Sequence, residues 1–369
     1  MNKSALPPTD ASGYVLALGA GRTQYPFIAD ALEFGADLIV VDMRFCPEIK
    51  KLAEHSAGRI ILIKEDLKEP GRILDKLRGY HIRALLPVPV GRVFTTAGLI
   101  ADKLGLCGAG FKAVDILTDK IKLHAFMRAH AADGLNCTRL YPPGQEPCYP
   151  CIAKQRFGSG SRGVAYIKDP GARAAFEHKM QKELQLKLED CYFEQFLEGR
   201  EFLLNLMLKD GRPVLSLMFE KELSPLPQRY ETAYTTAISL TREQRQQCLA
   251  QVLRLCSALE LKTCIMQVDI IFDDKSARPY IIDCSPRFTG NCIQDLIKTA
   301  FGLSISKAWL ELISRRDAAS AAIEAIPSPE PEQAYFMQLF SFEHPELRAL
   351  TALPDLSSAP GLAAFHRIT

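Results

Sequence analysis

The first hundred residues alternate between strand-like and helix-like segments, and this alternation constrains the fold more than any other feature. Short runs rich in Val, Ile and Leu are predicted to be strands at residues 14–18, 38–42, 59–63 and 84–87. The segments between them are predicted to be helices, because each has a proline near its start, where the missing N–H costs little. Strands that alternate with helices form a parallel sheet, so we expect a Rossmann-like N-terminal domain.

Length and composition indicate how many domains to expect, which partners are not expected and which compartment the protein occupies. A chain of 369 residues exceeds one ordinary core, so two or three domains are expected. A net charge of +2 gives no basis for a nucleic-acid partner. The apolar runs are only strand-length and the start of the chain is polar, so neither a membrane span nor secretion is predicted. The eleven cysteines are scattered, which favours reduced thiols and a cytoplasmic location.

The turn after the first predicted strand imitates a dinucleotide-binding turn. Gly19 and Gly21 would permit close approach of a pyrophosphate, and Asp42 closes the next strand, where such folds hold a ribose. Gln24 takes the place of the third glycine of that motif. Three interpretations stay open: NAD or FAD binding in an oxidoreductase, a loop that faces a substrate, and a structural turn.

A late hairpin carries acidic side chains on strands that are otherwise apolar. Residues 263–272 and 278–283 are predicted strands joined by a polar turn. Asp269 shares one face with Gln267, and Asp283 shares another with Ser285, with Arg287 just beyond. Two carboxylates and a neutral oxygen suit Mg²⁺. The alternative is a hairpin whose acids point to solvent.

Two further segments have the composition of a nucleotide site. Lys154 ends a predicted strand before a Gly/Ser-rich loop at 156–163, whose backbone N–H groups could bind phosphate; a flexible hairpin tip is the alternative. Earlier, Thr118 is a plausible N-cap for a helix that carries Lys120.

Acids also surround a predicted strand-to-strand hinge at residues 194–201. Glu194 and Glu201 could hold a ribose there, although acids in such turns are more often exposed. Residues 220–237 are predicted to be a long loop. In it, Arg229, Tyr230 and Glu231 are candidates for recognising the charged groups of an amino acid, with an ordinary solvated loop as the alternative.

The order of these segments resembles the ATP-grasp superfamily of carboxylate–amine ligases, including biotin carboxylase, D-alanine–D-alanine ligase and the L-amino-acid ligases. The resemblance covers residues 14–315. It implies an α/β and α+β multidomain protein with a Rossmann-like N-terminal domain and an ATP-grasp fold of two α+β lobes. The expected divisions are the N-terminal domain at 1–112, a small lobe with the phosphate loop at 113–197, a C-terminal lobe with the metal site at 198–325, and a linker with an incomplete C-terminal segment at 326–369.

The resemblance also implies a role for each candidate side chain. Lys154 and Arg287 are the catalytic residues, Lys154 on the phosphates and Arg287 on the acyl-phosphate. The hinge residues would meet adenine, and Glu201 would hold the ribose hydroxyls. The full set of implied nucleotide contacts is Lys120, Lys154, Ser159, Gly160, Ser161, Glu194, Gln195, Phe196 and Glu201. The implied metal ligands are Asp269, Asp283 and Ser285.

The implied activity is an ATP-dependent ligase of cytoplasmic location. It would activate a small carboxylate as an acyl-phosphate and join it to an amine, using ATP and one or two Mg²⁺ ions. Amino-acid-like substrates are expected, with no nucleic-acid or membrane partner, and a homodimer fits the resemblance. The family usually has Glu and Asn where this chain has Asp283 and Ser285. These weaker ligands make a second ion less certain and leave open a non-catalytic nucleotide-binding relative.

Overall fold

Three β-sheets follow one another along the chain. The computed structural model describes residues 13–141, 144–158, 163–183, 187, 190–227, 229–314, 330–331 and 333–339. Within these residues, one sheet is parallel and the other two are antiparallel.

The parallel sheet comes first, as the alternation of strands and helices predicts. Its strands lie in the order β3-β2-β1-β4 and span β1 Tyr14–Leu18, β2 Asp37–Asp42, β3 Ile60–Lys64 and β4 Ile82–Leu86. The helices between them each have a proline in the first turn: α1 Tyr25–Glu33, α2 Pro47–Glu54 and α3 Pro70–Leu77. This is the predicted Rossmann-like unit.

The second sheet has four antiparallel strands and belongs to a small α+β lobe. Its strands lie in the order β5-β8-β6-β7 and span β5 Leu140–Tyr141, β6 Cys151–Gln155, β7 Ala165–Ile167 and β8 Cys191–Gln195. Helix α7 Pro170–Glu183 packs against this sheet, with Phe176 and Met180 in its core. Helices α4 Phe94–Leu104, α5 Phe111–Thr118 and α6 Lys120–Ala129 come between the two sheets in the chain, with 3-10 turns at Gly91–Val93 and Ala131–Asp133, and α4 packs in the core of the parallel sheet.

The third sheet has six antiparallel strands and contains the acidic hairpin. Its strands lie in the order β13-β12-β9-β10-β11-β14 and span β9 Gly199–Lys209, β10 Arg212–Leu223, β11 Glu231–Thr235, β12 Cys264–Asp273, β13 Arg278–Ser285 and β14 Phe336–Gln338. Its helices are α8 Arg242–Ala258, α9 Ile293–Phe301 and α10 Ile305–Ser314.

The predicted helix start at Thr118 is wrong by one residue. Thr118 ends α5, a helix that sequence reasoning missed, and its Oγ1 donates to the carbonyl of Val114 at 2.7 Å. Asp119 is the N-cap of α6, since its carboxylate accepts from the backbone N–H groups of Ile121 and Lys122. Adjacent Thr and Asp are both good N-caps, and only the backbone conformation decides between them.

The predicted loop at 220–237 is also partly wrong. Strand β10 continues to Leu223, and after a short connection β11 pairs antiparallel with it. A register shift between Glu222 and Leu223 interrupts the pairing, which explains why no regular alternation is visible in the sequence. The charged residues of this segment therefore lie on or beside a sheet.

The hydrophobic cores extend from the parallel sheet to the six-stranded sheet. One core combines Leu16 and Ile39 with Phe202 and Leu204, while the other combines Val15 with Leu203. In the second core, Trp309 on α10 donates from its indole Nε1 to the carbonyl of Leu85 at 2.8 Å, which ties α10 to β4 of the parallel sheet. The cavity described below lies where these sheets and the small lobe meet.

Candidate active site

One cavity is bounded by residues from the connection after β4, from the small lobe and from the six-stranded sheet. Every predicted site residue that the structure describes lines it: Lys120, Lys154, Glu194, Gln195, Phe196, Glu201, Asp269, Asp283, Ser285 and Arg287. Ser159, Gly160 and Ser161 lie outside the described residues, so their predicted phosphate contacts stay predictions.

Lys154 enters the cavity from β6 and is buried with a counter-ion. Its ammonium forms an ion pair with Glu194 on the adjacent strand β8, and it also lies 3.4 Å from the carbonyl oxygen of Ile282 on β13. Glu194 Oε2 lies 2.9 Å from His124 Nε2. Burial alone would raise the pKa of the Glu194 carboxyl, but Lys154 and His124 outweigh it and lower this pKa to about 2.

Lys120 connects the small lobe to the six-stranded sheet. Its Nζ donates to Asp283 Oδ2 at 2.8 Å and to the carbonyl of Gly158 at 3.1 Å, at the root of the predicted phosphate loop. The preceding residue, Asp119, forms a bidentate ion pair with Arg156, with N–O distances of 2.7 to 3.0 Å. The start of α6 and the root of the loop are therefore held together.

Asp269 and Asp283 are direct cross-strand partners on β12 and β13, as the hairpin prediction requires. Asp269 is 2.8 Å from the ammonium of Lys221, which also pairs with Glu231 at 2.8 Å. Burial raises the pKa of the Asp269 carboxyl to about 6; Lys221 opposes this shift, while Glu231 and Asp283 add to it. The two aspartates therefore face one space, and each has a lysine beside it.

Arg287 lies beyond the end of β13, against the same wall of the cavity. Its Nη1 donates to Gln267 Oε1 at 3.0 Å and to the carbonyl of Phe288 at 2.8 Å. Burial lowers the pKa of this guanidinium, and the nearby carboxylates of Asp283 and Asp269 only partly offset the shift. A buried cation whose contacts are neutral oxygens is suited to bind an anion.

The hinge residues lie at the other end of the cavity. Phe196 is half-buried, with the guanidinium of Arg229 5.8 Å from its ring centroid, and Arg229 also pairs with Glu201 at 2.6 Å. The backbone N–H of Gln195 donates to the carbonyl of Arg139 at 2.8 Å. The side chain of Glu194 is bound to Lys154 and His124, so the predicted role of the hinge on adenine would rest on its other groups.

The aspartate pair fits a magnesium ion. No group of three or more His, Cys, Asp and Glu side chains in the described part of the chain is arranged to hold a metal. Mg²⁺ needs only one or two protein carboxylates, because it keeps waters and binds substrate phosphates. Asp269 and Asp283 would supply those carboxylates, and Ser285, the cross-strand partner of Gln267, has its hydroxyl on the same wall of the cavity.

The turn that imitates a dinucleotide site is filled by its own side chains. Asp42 accepts from the backbone N–H of Ala20 at 2.8 Å. The Gln24 amide accepts from the N–H of Gly21 at 2.8 Å and donates to the carbonyl of Pro89. The N–H groups and the acid that would hold a dinucleotide thus already have partners, Ala20 with Asp42 and Gly21 with Gln24, which favours the structural interpretation of this turn.

Sequence reasoning missed three side chains of the site. His124 and Lys221 are almost fully buried, and neither belongs to a recognisable motif. Thr138 lies beside His124, with 3.4 Å between Thr138 Oγ1 and His124 Nδ1. Charged or polar residues on apolar segments were the available signal, since burial of such groups is costly unless they are paired.

Comparison with known proteins identifies the central part of the chain. Residues 148–295 match the sequence model of the ATP-grasp domain. These residues form an ATP-grasp domain. The predicted resemblance and the predicted fold class are therefore confirmed.

The ATP-grasp fold is also supported by solved structures. The L-amino acid ligase from Bacillus licheniformis superimposes with a TM-score of 0.67 at 16% identity, over 83% of this chain and 75% of the ligase. The biotin carboxylase domain of the 2-oxoglutarate carboxylase from Hydrogenobacter thermophilus, in complex with MgADP, ADP and bicarbonate, gives 0.66 at 16% identity, over 88% of this chain and 74% of that chain. At these identities the likeness concerns the fold.

Among curated proteins, carnosine synthase 1 of Gallus gallus is 23% identical over 331 residues, which cover 78% of this chain and 34% of that protein. The chain thus spans about a third of the length of this relative. In the described residues, no helix combines the length and apolar character that crossing a membrane requires.

Proposed function

We propose that this protein is an ATP-dependent ligase that joins a small carboxylate to an amine. The observation that carries this proposal is the convergence of separate segments on one cavity. Lys120 reaches Asp283 at 2.8 Å, and Lys154 reaches the carbonyl of the preceding residue, Ile282, at 3.4 Å. Two lysines and two aspartates placed in this way suit a triphosphate and its metal ion.

The proposed reaction has two transfers. A carboxylate oxygen attacks the γ-phosphorus of ATP, the bond to the β-phosphate oxygen breaks, and ADP and an acyl-phosphate form. The amine nitrogen then attacks the acyl carbon and loses a proton, the carbon–oxygen bond to phosphate breaks, and an amide and phosphate result. Neither transfer needs a protein nucleophile, since positioning and charge stabilisation are the main requirements.

The residues of the cavity have distinct proposed tasks. Lys120 and Lys154 hold the nucleotide phosphates, and Glu201 holds the ribose after Arg229 releases it. Arg287 stabilises the negative charge on the acyl-phosphate and its tetrahedral successor. When bound by Asp269 and Asp283, with Ser285 as a further oxygen donor, Mg²⁺ supplies charge neutralisation at the phosphates.

The substrates are proposed by similarity. Carnosine synthase and L-amino acid ligase are the names of relatives, which favours an amino-acid-like amine and carboxylate. A cytoplasmic location, a homodimer and the absence of nucleic-acid and membrane partners are part of the same proposal. So are the four divisions at 1–112, 113–197, 198–325 and 326–369; the order of the three sheets supports the first three, while β14 in the fourth adds a strand to the sheet of the third.

A phosphate-release screen tests the activity. The protein is incubated with ATP, Mg²⁺ and pairs of amino acids and small carboxylates, and ADP, phosphate and the product mass are measured. A ligase releases phosphate only when both substrates are present, and the product mass equals their sum minus water. Hydroxylamine in place of the amine should trap the acyl-phosphate as a hydroxamate.

The control variant for this screen must remove both charges of the buried ion pair between Lys154 and Glu194. Lys154→Met alone leaves the Glu194 carboxylate buried without its ammonium, which destabilises proteins by about 3–5 kcal/mol. The double variant Lys154→Met/Glu194→Gln removes both charges and is expected to fold without turnover. Tight ATP binding without ADP formation over the whole panel would instead indicate a non-catalytic nucleotide-binding protein.

A further inference from the structure

A buried histidine, His124, contacts Glu194, the counter-ion of Lys154. His124 lies on α6, one turn after Lys120, so the two side chains share a face of the helix. Only 3% of His124 is exposed. Its Nε2 is 2.9 Å from Glu194 Oε2, and its Nδ1 is 3.4 Å from the hydroxyl of Thr138.

The ionisation of Glu194 determines which group in these contacts donates a hydrogen bond and which accepts it. Glu194 is ionised, since its pKa is lowered to about 2 against the opposing effect of burial, so its oxygens can only accept hydrogen bonds. His124 Nε2 must therefore donate. One carboxylate oxygen accepts the hydrogen bond from His124 Nε2, and the other forms the ion pair with the ammonium of Lys154. Glu194 is thereby held from both sides, and it cannot turn without losing a contact.

If the Glu194 side chain adopted another rotamer, the ammonium of Lys154 would lose its partner and change position. Lys154 is buried, and among the described residues its ammonium contacts the Glu194 carboxylate and the carbonyl of Ile282, the latter at a long 3.4 Å. Its position thus depends mainly on the carboxylate. The T-shaped contact between the rings of His124 and Tyr192, with centroids 5.9 Å apart, restricts the imidazole in turn.

We propose that His124 is a positioning residue that orients Lys154 through Glu194 and so sets the affinity of the site for the phosphates of the nucleotide. This inference rests on the proposed function. It makes α6 the element that places both lysines, Lys120 directly and Lys154 through two side chains. It also assigns Glu194 to the phosphate end of the site, where sequence reasoning had placed it at the adenine.

The test compares two ligands that differ only in phosphates. Dissociation constants for adenosine and for a non-hydrolysable ATP analogue are measured with Mg²⁺ in the full-length wild type and in variants at this position. In His124→Leu, affinity for the ATP analogue should fall about tenfold, the value of one charge-assisted hydrogen bond, while affinity for adenosine stays within about twofold. A merely structural role would weaken both ligands together.

Conservative and matched variants complete the design. In His124→Gln the amide nitrogen is as many bonds from Cβ as Nε2 is, so affinity for the analogue should recover to within about threefold of wild type. His130→Leu removes a histidine from the end of the same helix, where its ring bonds the carbonyl of Phe126, and should change neither affinity. If His124→Leu fails to fold, His124→Asn takes its place, because the shorter amide cannot reach Glu194.

The outcomes separate the two proposals. Selective loss of analogue affinity with rescue by Gln supports the positioning role. Unchanged affinity in a folded Leu or Asn variant, or equal loss for adenosine and analogue, overturns it and leaves the proposed ligase intact. Failure of the wild type to bind the analogue at all overturns the proposed function itself.

Discussion

At the scale of single residues, the site is a set of charges that neutralise each other. Lys120 faces Asp283, Lys154 faces Glu194, Arg229 faces Glu201, and Lys221 faces Asp269 and Glu231. In the proposed complex, the nucleotide and Mg²⁺ would replace some of these ion pairs with new contacts. Arg287 differs, because in the described structure its hydrogen bonds go to neutral oxygens, which leaves it the cation best prepared to receive an anion.

The buried carboxylate of Glu194 should make stability depend on acid pH. Its pKa is about 2 in the folded protein against an ordinary value of 4.5, so the unfolded chain takes up its proton first as the pH falls. The stabilisation is complete above about pH 4.5 and is lost as the pH falls toward 2, with about 1 kcal/mol gone by about pH 4. Thermal unfolding at about pH 6, 5 and 4 measures it.

Glu194→Gln provides the comparison for that titration. The variant lacks the titrating group, so its unfolding temperature should fall less steeply with pH than that of the wild type, although it starts lower because Lys154 loses its counter-ion. Parallel slopes for the two proteins would contradict the lowered pKa.

Asp283 should determine the magnesium requirement. Asp283→Asn removes one of two facing carboxylates and weakens the contact with Lys120. The Mg²⁺ concentration for half-maximal nucleotide binding should rise about tenfold or more. Asp274→Asn, at an exposed acid in the turn of the same hairpin, is the matched control and should leave the titration unchanged. A wild-type titration curve for Asp283→Asn would remove Asp283 from the metal site.

At the scale of elements, the β12–β13 hairpin aligns the two aspartates, whereas helix α6 contacts the start of the phosphate loop. Register places Asp269 opposite Asp283, and a slip of one residue would turn every side chain of one strand to the opposite face. Gly199 permits the close pairing of β9 and β12, since a Cβ at this position would clash with the carbonyl oxygen of Phe272. The helix adds its N-cap, Asp119, which also binds Arg156 at the root of the phosphate loop.

Two N-cap variants separate helix stability from site geometry. Asp119→Ala and Thr241→Ala each remove a side-chain cap, from α6 and α8 respectively, at a cost of about 1 kcal/mol. Only the first also breaks the ion pair with Arg156. Denaturant unfolding should show both costs, with the larger in Asp119→Ala, and nucleotide affinity should fall about tenfold in Asp119→Ala alone. Equal affinities in the two variants would show that the cap has no role in the site.

At the scale of the whole molecule, shared cores bind the parallel sheet to the six-stranded sheet. Trp309 donates to the carbonyl of Leu85, and Phe27 stacks on Phe288 with ring centroids 4.9 Å apart. The backbone N–H of Phe288 also donates to the carbonyl of Pro87 at 2.8 Å. This contact immediately follows Arg287, so the packing between the sheets helps to hold that arginine against the cavity.

Trp309 should report whether these sheets unfold together. It is the single tryptophan of the chain and is 1% exposed, so its emission should be blue-shifted in the native state. Because the cores are continuous, the red shift in denaturant should coincide with the loss of far-UV circular dichroism. A red shift that clearly precedes it would mean that the N-terminal unit separates first. Trp309→Phe should lower the unfolding midpoint, since Leu85 loses its donor.

The sequence determined the local elements and the chemistry of the site. Strand and helix alternation predicted the parallel sheet, because local periodicity reflects which face of an element is buried. Alternation along the hairpin also placed Asp269 and Asp283 on strands that could face each other. The place of Lys154 before a Gly/Ser-rich loop made it a candidate for binding phosphate, whereas the role of Arg287 came from the resemblance to the ATP-grasp superfamily.

Only the tertiary structure decided which charges meet. Three ion pairs of the site join residues that are 28 to 48 positions apart in the sequence: Lys154–Glu194, Arg229–Glu201 and Lys221–Asp269. No local sequence pattern encodes contacts over such distances. His124 was not recognisable, because a single histidine in an amphipathic helix carries no periodic signal. Strand β11 was missed because a register shift interrupts its pairing with β10, so its charged residues looked like those of a loop. Long-range packing decides these features, and it depends on the whole chain at once.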